Sequence, residues 1–246
     1  MFQILYKPYF WVIAMPLFLV ATLLTATTVI IGCLLGGERF FSYYPGMLWS
    51  RIACILTLCP VKIKGRENIQ SGKSYVFVSN HQSAYDIFLI YGYLGAPIKW
   101  MMKKGLAKIP FVGLACKKAG FIFVDASSAR NAQKSIQEAE SKLKEGQSLI
   151  IFPEGGRTTD GHIRNFKRGA YLIAVDLQLP LVPITLNGPF KVMPTGSWNI
   201  RPHYIEMTIH PPVTPYKKED YTKENLLNLV HSTQQIIINS LWEEFK

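Results

Sequence analysis

Acidic side chains and cysteines are scarce in this chain, and each shortage excludes some classes of protein. The 16 Asp and Glu residues stand against 27 Lys and Arg residues, which gives a net charge of +11 over 246 residues. Such a chain suits an anionic partner, which could be nucleic acid, a membrane surface or a phosphorylated substrate. The four cysteines show neither CxxC spacing nor a disulfide framework. We therefore expect a reducing compartment and no metal site.

Charge is also missing from one long stretch near the start of the chain. No charged side chain lies between Pro8 and Gly37, and at ~1.5 Å per residue such a helix can cross a hydrocarbon layer of ~30 Å. The next apolar stretch, Phe40 to Val61, carries Arg51 in its middle, which favours an interfacial or re-entrant helix. Residues 1–61 are therefore predicted to form a hydrophobic helical hairpin or membrane anchor. A cleaved secretory signal and a buried helix of a soluble protein are the alternatives.

Basic residues are distributed unequally around this anchor. Lys7 alone precedes the apolar run, whereas Arg39, Arg51, Lys62, Lys64 and Arg66 follow it. Positive charge concentrates on the cytoplasmic side of membrane proteins. We therefore predict a location at the cell (inner) membrane, with the body of the chain on the cytoplasmic side.

Residues 62–246 have the pattern of an α/β domain. Short apolar runs alternate with helical patterns, which predicts a mixed, largely parallel sheet flanked by helices. Helices are predicted at Ser128 to Glu145, where apolar residues recur at three- and four-residue steps, and from Thr222 to Phe245. The predicted strands are Tyr75–Ser79, Ile98–Met102, Phe121–Val124, Ser148–Phe152, Leu181–Leu186 and Tyr204–Ile209.

A histidine and an aspartate flank the turn after the first of these predicted strands. His81 follows the apolar run that ends at Ser79, and Asp86 lies in the first turn of a helix predicted from Ser83 to Leu94. From there the carboxylate can reach the imidazole, and a histidine so oriented can accept a proton from a hydroxyl near neutral pH. The alternative is that His81 merely ends a strand and Asp86 caps a helix.

No enzyme nucleophile is evident for this histidine to activate. The sequence has no GxSxG elbow, and none of its cysteines lies at a strand–turn–helix junction. The spacing of five between His81 and Asp86 also differs from the i, i+4 spacing of helical metal ligands. The activated hydroxyl is therefore predicted to belong to the substrate.

Two further stretches supply positive charge. Leu149 to Thr158 runs from an apolar strand into a turn with Glu154, Gly155 and Arg157, where a guanidinium suits a phosphate and glycine allows close backbone approach. A surface ion pair between Glu154 and Arg157 is the alternative. The stretch Lys99 to Lys118 holds six lysines and no acid, and it is predicted to attract anionic lipid or phosphate. No helix-turn-helix, zinc-finger or RNP pattern supports a nucleic-acid partner.

Taken together, the motifs resemble a known family. Asn80-His81-x4-Asp86 and Phe152-Pro153-Glu154-Gly155-x-Arg157 are similar to motifs of the membrane-bound glycerolipid acyltransferases, in particular the 1-acyl-glycerol-3-phosphate acyltransferases. Further matching blocks lie in the same order within residues 75–190, and they are Lys103-Lys104-Gly105-Leu106, Ile109-Pro110-Phe111-Val112-Gly113, Phe166-Lys167-x-Gly169-Ala170 and Val182-Pro183-Ile184 leading to Gly188.

The resemblance implies a reaction and a set of site residues. It implies transfer of a fatty acyl group from coenzyme A or acyl carrier protein to the free sn-2 hydroxyl of lysophosphatidic acid at a phospholipid membrane, giving phosphatidic acid without a further cofactor. His81 would be the general base and Asp86 would orient it. The substrate-binding residues it implies are Lys103, Lys104, Glu154, Gly155, Arg157 and Lys167. Backbone N–H groups near Gly155 and Gly156 are predicted to stabilise the oxyanion.

Two departures from the family pattern leave the acceptor open. Gly156 stands where the family commonly has Thr, and Ala126 stands where it has Arg. Arg130 could supply the missing cation, or the acceptor could be another lysolipid such as lyso-ornithine lipid. A non-catalytic protein that binds anionic membranes is the remaining alternative.

Overall fold

A computed structural model describes residues 2–124, 137 and 147–246 of the chain. Its centre is a seven-stranded sheet in the order β1-β7-β6-β2-β5-β3-β4, within those described ranges. Every neighbouring pair is parallel except β6 and β7, which are antiparallel. The strands are β1 (Val61–Lys64), β2 (Val76–Ser79), β3 (Ile98–Lys103), β4 (Ile122–Val124), β5 (Ser148–Ile151), β6 (Leu181–Asn187) and β7 (Ile205–Ile209).

Strands β2, β5 and β6 form the interior of this sheet. Every residue in them is buried, because helices cover both faces of a parallel sheet, and this explains their continuous apolar sequence. The predicted mixed, largely parallel α/β sheet is confirmed, with strand ends displaced by one residue. Strand β1 was not predicted, and its alternation of Val and Ile with lysine reflects its place at the edge of the sheet.

The helices differ more from their predicted bounds. The helix after the histidine turn begins at Tyr85 instead of Ser83 and ends at Tyr93. Thr222 caps the last helix through its Oγ1, which accepts from the N–H of Asn225 at 3.0 Å, but that helix ends at Asn239. The predicted helix from Ser128 to Glu145 and the candidate cation Arg130 lie outside the described residues. The helices are α1 (Phe2–Tyr9), α2 (Met15–Leu34), α3 (Glu38–Phe41), α4 (Tyr44–Leu56), α5 (Tyr85–Tyr93), α6 (Val112–Lys118), α7 (Gly169–Leu177), α8 (Pro189–Val192) and α9 (Lys223–Asn239).

The N-terminal helices contact the rest of the chain at several points. Helices α1 and α2 are joined by a π turn, Phe10–Ala14, and Pro16, which has no N–H to donate, follows that turn. In the first turn of α2, the Phe18 ring contacts Trp49 of α4 and Phe88 of α5, with centroids 5.6 Å and 5.7 Å apart. Further along the helix, Ala26 and Val29 belong to the hydrophobic cluster that contains sheet residues.

The other face of α2 is apolar and exposed. The continuous helical stretch Ile4–Leu34 is long and apolar enough to cross a membrane, by length and composition alone. Leu17, Leu24 and Leu34 are among its exposed side chains, and a large exposed apolar surface marks a membrane or protein contact. This helix supports membrane association. The division of the chain at residue 61 stays a prediction.

Candidate active site

The turn that carries His81 is held by the buried side chain of Asn80. Its Oδ1 accepts the N–H of Leu186 at 2.8 Å, and its Nδ2 donates to the C=O of the same residue at 2.9 Å. The amide thus extends the pairing of β2 with β6 beyond the end of the strand. His81 follows directly and leaves the sheet at the carboxyl ends of β2, β5 and β3, the edge where α/β sheets place ligands.

Asp86 orients the imidazole from the first turn of α5. Its Oδ2 accepts three hydrogen bonds, from His81 Nδ1 at 2.8 Å and from the N–H groups of Gln82 and Ser83 at 2.7 Å and 2.8 Å. Because a carboxylate only accepts, the His81 proton lies on Nδ1 and the lone pair on Nε2 remains available. Asp86 is fully buried, while the His81 side chain is 15% exposed. The structure therefore brings together the two residues that the sequence analysis paired.

Phe152 supports one face of the imidazole. The two rings are stacked with centroids 3.8 Å apart and planes 9° from parallel. Trp100 lies beyond, with its ring centroid 6.0 Å from that of Phe152. This stacking limits rotation of the His81 ring, and an aromatic face favours a cation lying above it. This role of Phe152 was not predicted, because its sequence context is that of the last residue of a strand.

Glu154 contacts backbone amides and makes no ion pair with Arg157 in the described ranges. Its Oε1 accepts the N–H of His81 at 2.7 Å, and its Oε2 accepts the N–H of Arg164 at 2.9 Å. Burial raises the pKa of Glu154 from 4.5 to about 7, and the two amide donors oppose that rise. The surface ion pair considered from the sequence is therefore wrong. Direct contact of Glu154 with an acceptor stays a prediction.

Cationic side chains surround the glycine turn that follows Glu154. A methyl group on Gly155 would lie 2.6 Å from Lys167 Nζ, and one on Gly156 would lie 3.9 Å from Lys103 Nζ. Gly155 has a φ of +76°, the left-handed conformation that glycine adopts without strain. Arg157 is exposed one residue later, and Lys104 is exposed next to Lys103. The predicted cations thus lie around one turn at the carboxyl edge of the sheet.

The predicted oxyanion donors are reduced to one. The N–H of Gly155 donates to the C=O of Phe152 at 3.0 Å, so it is already used within the turn. Gly156 is the remaining candidate.

Lys99 differs from its predicted place on the basic surface. It is buried, and its Nζ donates to the C=O of Ala119 at 2.5 Å and lies 3.3 Å from Glu38. That lysine ties the N-terminal helices to β3.

The fold and this site define a class of protein. A buried carboxylate holds an imidazole with one free nitrogen at the ligand-binding edge of an α/β sheet, beside several cations, and this arrangement suits removal of a proton from the hydroxyl of an anionic molecule. The chain belongs to the Acyltransferase family, whose sequence profile matches residues 60–187. The resemblance found in the sequence is therefore confirmed.

Individual relatives agree with this assignment. The chain is 36% identical to the chloroplast 1-acyl-sn-glycerol-3-phosphate acyltransferase of Arabidopsis thaliana over 178 residues, 72% of this chain and 49% of that protein. It is 31% identical to the 1-acyl-sn-glycerol-3-phosphate acyltransferase of Borreliella burgdorferi over 183 residues, 72% of this chain and 73% of that protein. The chain spans about half the length of the chloroplast relatives of Arabidopsis thaliana and Brassica napus.

A solved structure extends the similarity to the whole described fold. The crystal structure of the 1-acyl-sn-glycerophosphate acyltransferase from Thermotoga maritima superposes with a TM-score of 0.77. The two chains are 26% identical, and the match covers 98% of each.

Proposed function

We propose that this protein is a membrane acyltransferase that converts 1-acyl-glycerol-3-phosphate to phosphatidic acid. The acyl donor is the thioester of coenzyme A or of acyl carrier protein. The observation that carries the proposal is the 2.8 Å hydrogen bond between His81 Nδ1 and Asp86 Oδ2, which leaves Nε2 free to take a proton. The names of the relatives supply the substrate class.

The proposed reaction needs no covalent enzyme intermediate. His81 Nε2 removes the proton of the sn-2 hydroxyl as the oxygen of that hydroxyl attacks the thioester carbonyl. The Gly156 N–H stabilises the oxyanion that forms. The tetrahedral intermediate then collapses, the C–S bond breaks, and the imidazolium returns the proton to the thiolate. A thioester is already activated, so positioning and general-base assistance worth ~100- to 10,000-fold are the main contributions of the protein.

The cations around the glycine turn are proposed to bind the acceptor phosphate. Arg157 offers a planar pair of N–H donors, which suits a phosphate oxygen pair. Lys167 adds positive charge next to Gly155, and Lys103 adds it next to Gly156. Lys104 extends the positive surface towards solvent. Because β5 pairs in parallel with both β2 and β3, this proposed phosphate site lies at the same edge of the sheet as His81, which follows β2.

Membrane attachment is proposed to involve two neighbouring elements of the fold. The first is the exposed face of α2, and the second is the segment 104–118, which packs on α2 through α6. That segment exposes four apolar side chains and four lysines, a combination typical of a surface that binds anionic lipid. They are Leu106, Ile109, Phe111, Leu114, Lys104, Lys108, Lys117 and Lys118. We propose the cytoplasmic face of the inner membrane as the location.

The proposal is tested by acyl transfer with purified protein in detergent micelles. Labelled acyl-coenzyme A and acyl carrier protein thioesters are offered with lysophosphatidate, lyso-ornithine lipid and lysophosphatidylglycerol. We expect the highest turnover with lysophosphatidate. Preference for another lysolipid would refute the acceptor but retain the reaction, and no turnover with any pair would refute the reaction.

His81→Ala separates the enzyme from a membrane-binding protein without activity. We expect this variant to lose turnover and to sediment with anionic vesicles as wild type does. Full turnover by His81→Ala would refute the role of His81 as general base.

A further inference from the structure

The peptide backbone of His81 is fixed on both sides by the segment that follows β5. Its N–H donates to Glu154 Oε1 at 2.7 Å, and its C=O accepts the N–H of Thr158 at 3.1 Å. Glu154 and Thr158 are both buried. The general base and the turn with Arg157 are therefore held together by direct hydrogen bonds.

The second oxygen of Glu154 ties a third segment to this unit. Oε2 accepts the N–H of Arg164 at 2.9 Å, so a single carboxylate bridges the histidine turn and the far end of the loop 154–164. Each oxygen faces one N–H donor. An amide would place its NH2 group against one of those donors, and a buried donor left without an acceptor destabilises that arrangement.

We infer that Glu154 is a positioning residue, whose carboxylate fixes the His81 peptide relative to the phosphate-binding turn. Only 5% of Glu154 is exposed, and both of its oxygens are engaged within the protein, so an acceptor lipid has little access to it. The inference rests on the proposed function for the roles of His81 and Arg157. It replaces acceptor binding, the role implied by family resemblance, with a role in alignment.

Alignment matters because the two halves of the site act on one molecule. The acceptor phosphate at Arg157 and the acceptor hydroxyl at His81 Nε2 are a fixed number of bonds apart, so a displaced histidine turn leaves binding intact while moving the base away from its proton. Misplacement by about 1 Å is enough to lower a rate ~100-fold. Loss of the Glu154 bridge is therefore expected to lower kcat and to spare KM.

Steady-state kinetics of Glu154→Gln test this inference. We expect kcat to fall ~30- to 100-fold, while KM for lysophosphatidate stays within about threefold of wild type. Arg157→Ala is expected to show the opposite pattern, a raised KM. Glu219→Gln, at a glutamate whose side chain is 76% exposed, is the matched control and is expected to match wild type. A large rise in KM with kcat retained in Glu154→Gln would overturn the inference.

An NMR measurement decides the same question without turnover or a change at Glu154. In His81→Ala, which removes the imidazole but keeps the peptide, the amide protons of residues 81 and 164 are followed between pH 5 and 9. Both are expected to move downfield with one shared midpoint as Glu154 ionises, because both amides donate to its carboxylate. The other charged groups that face Glu154 are Asp86 and the side chain of Arg164. Amide shifts that do not change together would overturn the inference.

This second measurement also separates two kinds of failure. If wild type does not acylate lysophosphatidate, the proposed function fails, while shared titration of the two amides still supports the bridge. If wild type is active and the amides titrate independently, the proposed function stands and the positioning role is wrong.

Discussion

Replacement of Asp86 by Asn isolates the contribution of one negative charge to the reaction. All three hydrogen bonds to Asp86 end on Oδ2, while the buried Oδ1 has no hydrogen-bond partner within the described residues. The carboxamide oxygen of Asn can take the position of Oδ2 and keep the three bonds. The imidazole orientation and tautomer are then preserved, and only the charge is lost.

The size of the effect follows from the distance between the charges. With Nδ1 and Oδ2 2.8 Å apart, the charge centres of an imidazolium and a carboxylate are separated by roughly 4 Å, where their attraction is about 4 kcal/mol at an effective dielectric constant of about 20. This attraction is present only after the imidazole has taken the proton. Its loss raises the barrier and is expected to lower kcat ~1,000-fold.

The assay is turnover of lysophosphatidate and acyl-coenzyme A by Asp86→Asn in micelles, with thermal unfolding measured on the same sample. We expect KM for the acceptor to remain near the wild-type value, because Asp86 does not face the phosphate site. Asp86→Ala serves as the comparison, since it removes the three bonds as well as the charge and should also lower stability. Turnover by Asp86→Asn within about fivefold of wild type would refute the electrostatic reasoning.

Three further predictions concern the groups around the imidazole. Phe152→Leu removes the ring stacked at 3.8 Å on His81, and loss of a cation–π contact worth ~0.5–2 kcal/mol should lower kcat roughly 2- to 30-fold. The control Phe152→Tyr should retain activity, and equal rates in both variants would contradict this prediction. Gly155→Ala places a methyl group 2.6 Å from Lys167 Nζ at a φ of +76°. KM for the acceptor should rise about 3- to 10-fold, and stability should fall by about 1–2 kcal/mol. Gly156→Ala is the control for stability, and an unchanged KM in Gly155→Ala would contradict the prediction. Burial raises the pKa of Glu154 from 4.5 to about 7, so the folded state binds a proton more tightly than the unfolded chain. Stability should therefore fall by up to about 3 kcal/mol as pH rises from about 4.5 to about 7. Glu154→Gln should lose this slope in thermal unfolding, and an identical slope in both proteins would contradict the assignment.

The sheet could be predicted from sequence because burial on both faces makes each central strand a short apolar run. Strand β1 could not, since an edge strand with alternating lysines has the same composition as a loop. Lys99 was misplaced for the opposite reason. It looks like one more lysine of a basic stretch, and only the fold shows that the C=O of Ala119 and the carboxylate of Glu38 meet its ammonium inside the protein.

The pair of His81 and Asp86 could be predicted because only five positions separate a residue of the turn from one in the first turn of the next helix, so chain geometry limits the distance between them. Glu154 could not be assigned in the same way. Its partners are backbone N–H groups of His81 and Arg164, and every residue except proline carries such a donor, so no side-chain pattern marks them. Phe152 is similar, because stacking depends on how β5 lies next to β2, which becomes known only with the strand order.

The buried polar groups beside His81 are poorly explained by stability. Asp86 Oδ1 and Gln82 Oε1 are buried without a hydrogen-bond partner in the described part of the chain, and an unsatisfied buried polar atom costs about 1–3 kcal/mol. An asparagine at position 86 would keep the three hydrogen bonds without burying a charge, so Asp86→Asn is expected to unfold at the same temperature as wild type or higher. Stability therefore does not explain why position 86 carries a carboxylate. The reaction does, because only the carboxylate gains interaction energy when His81 becomes charged.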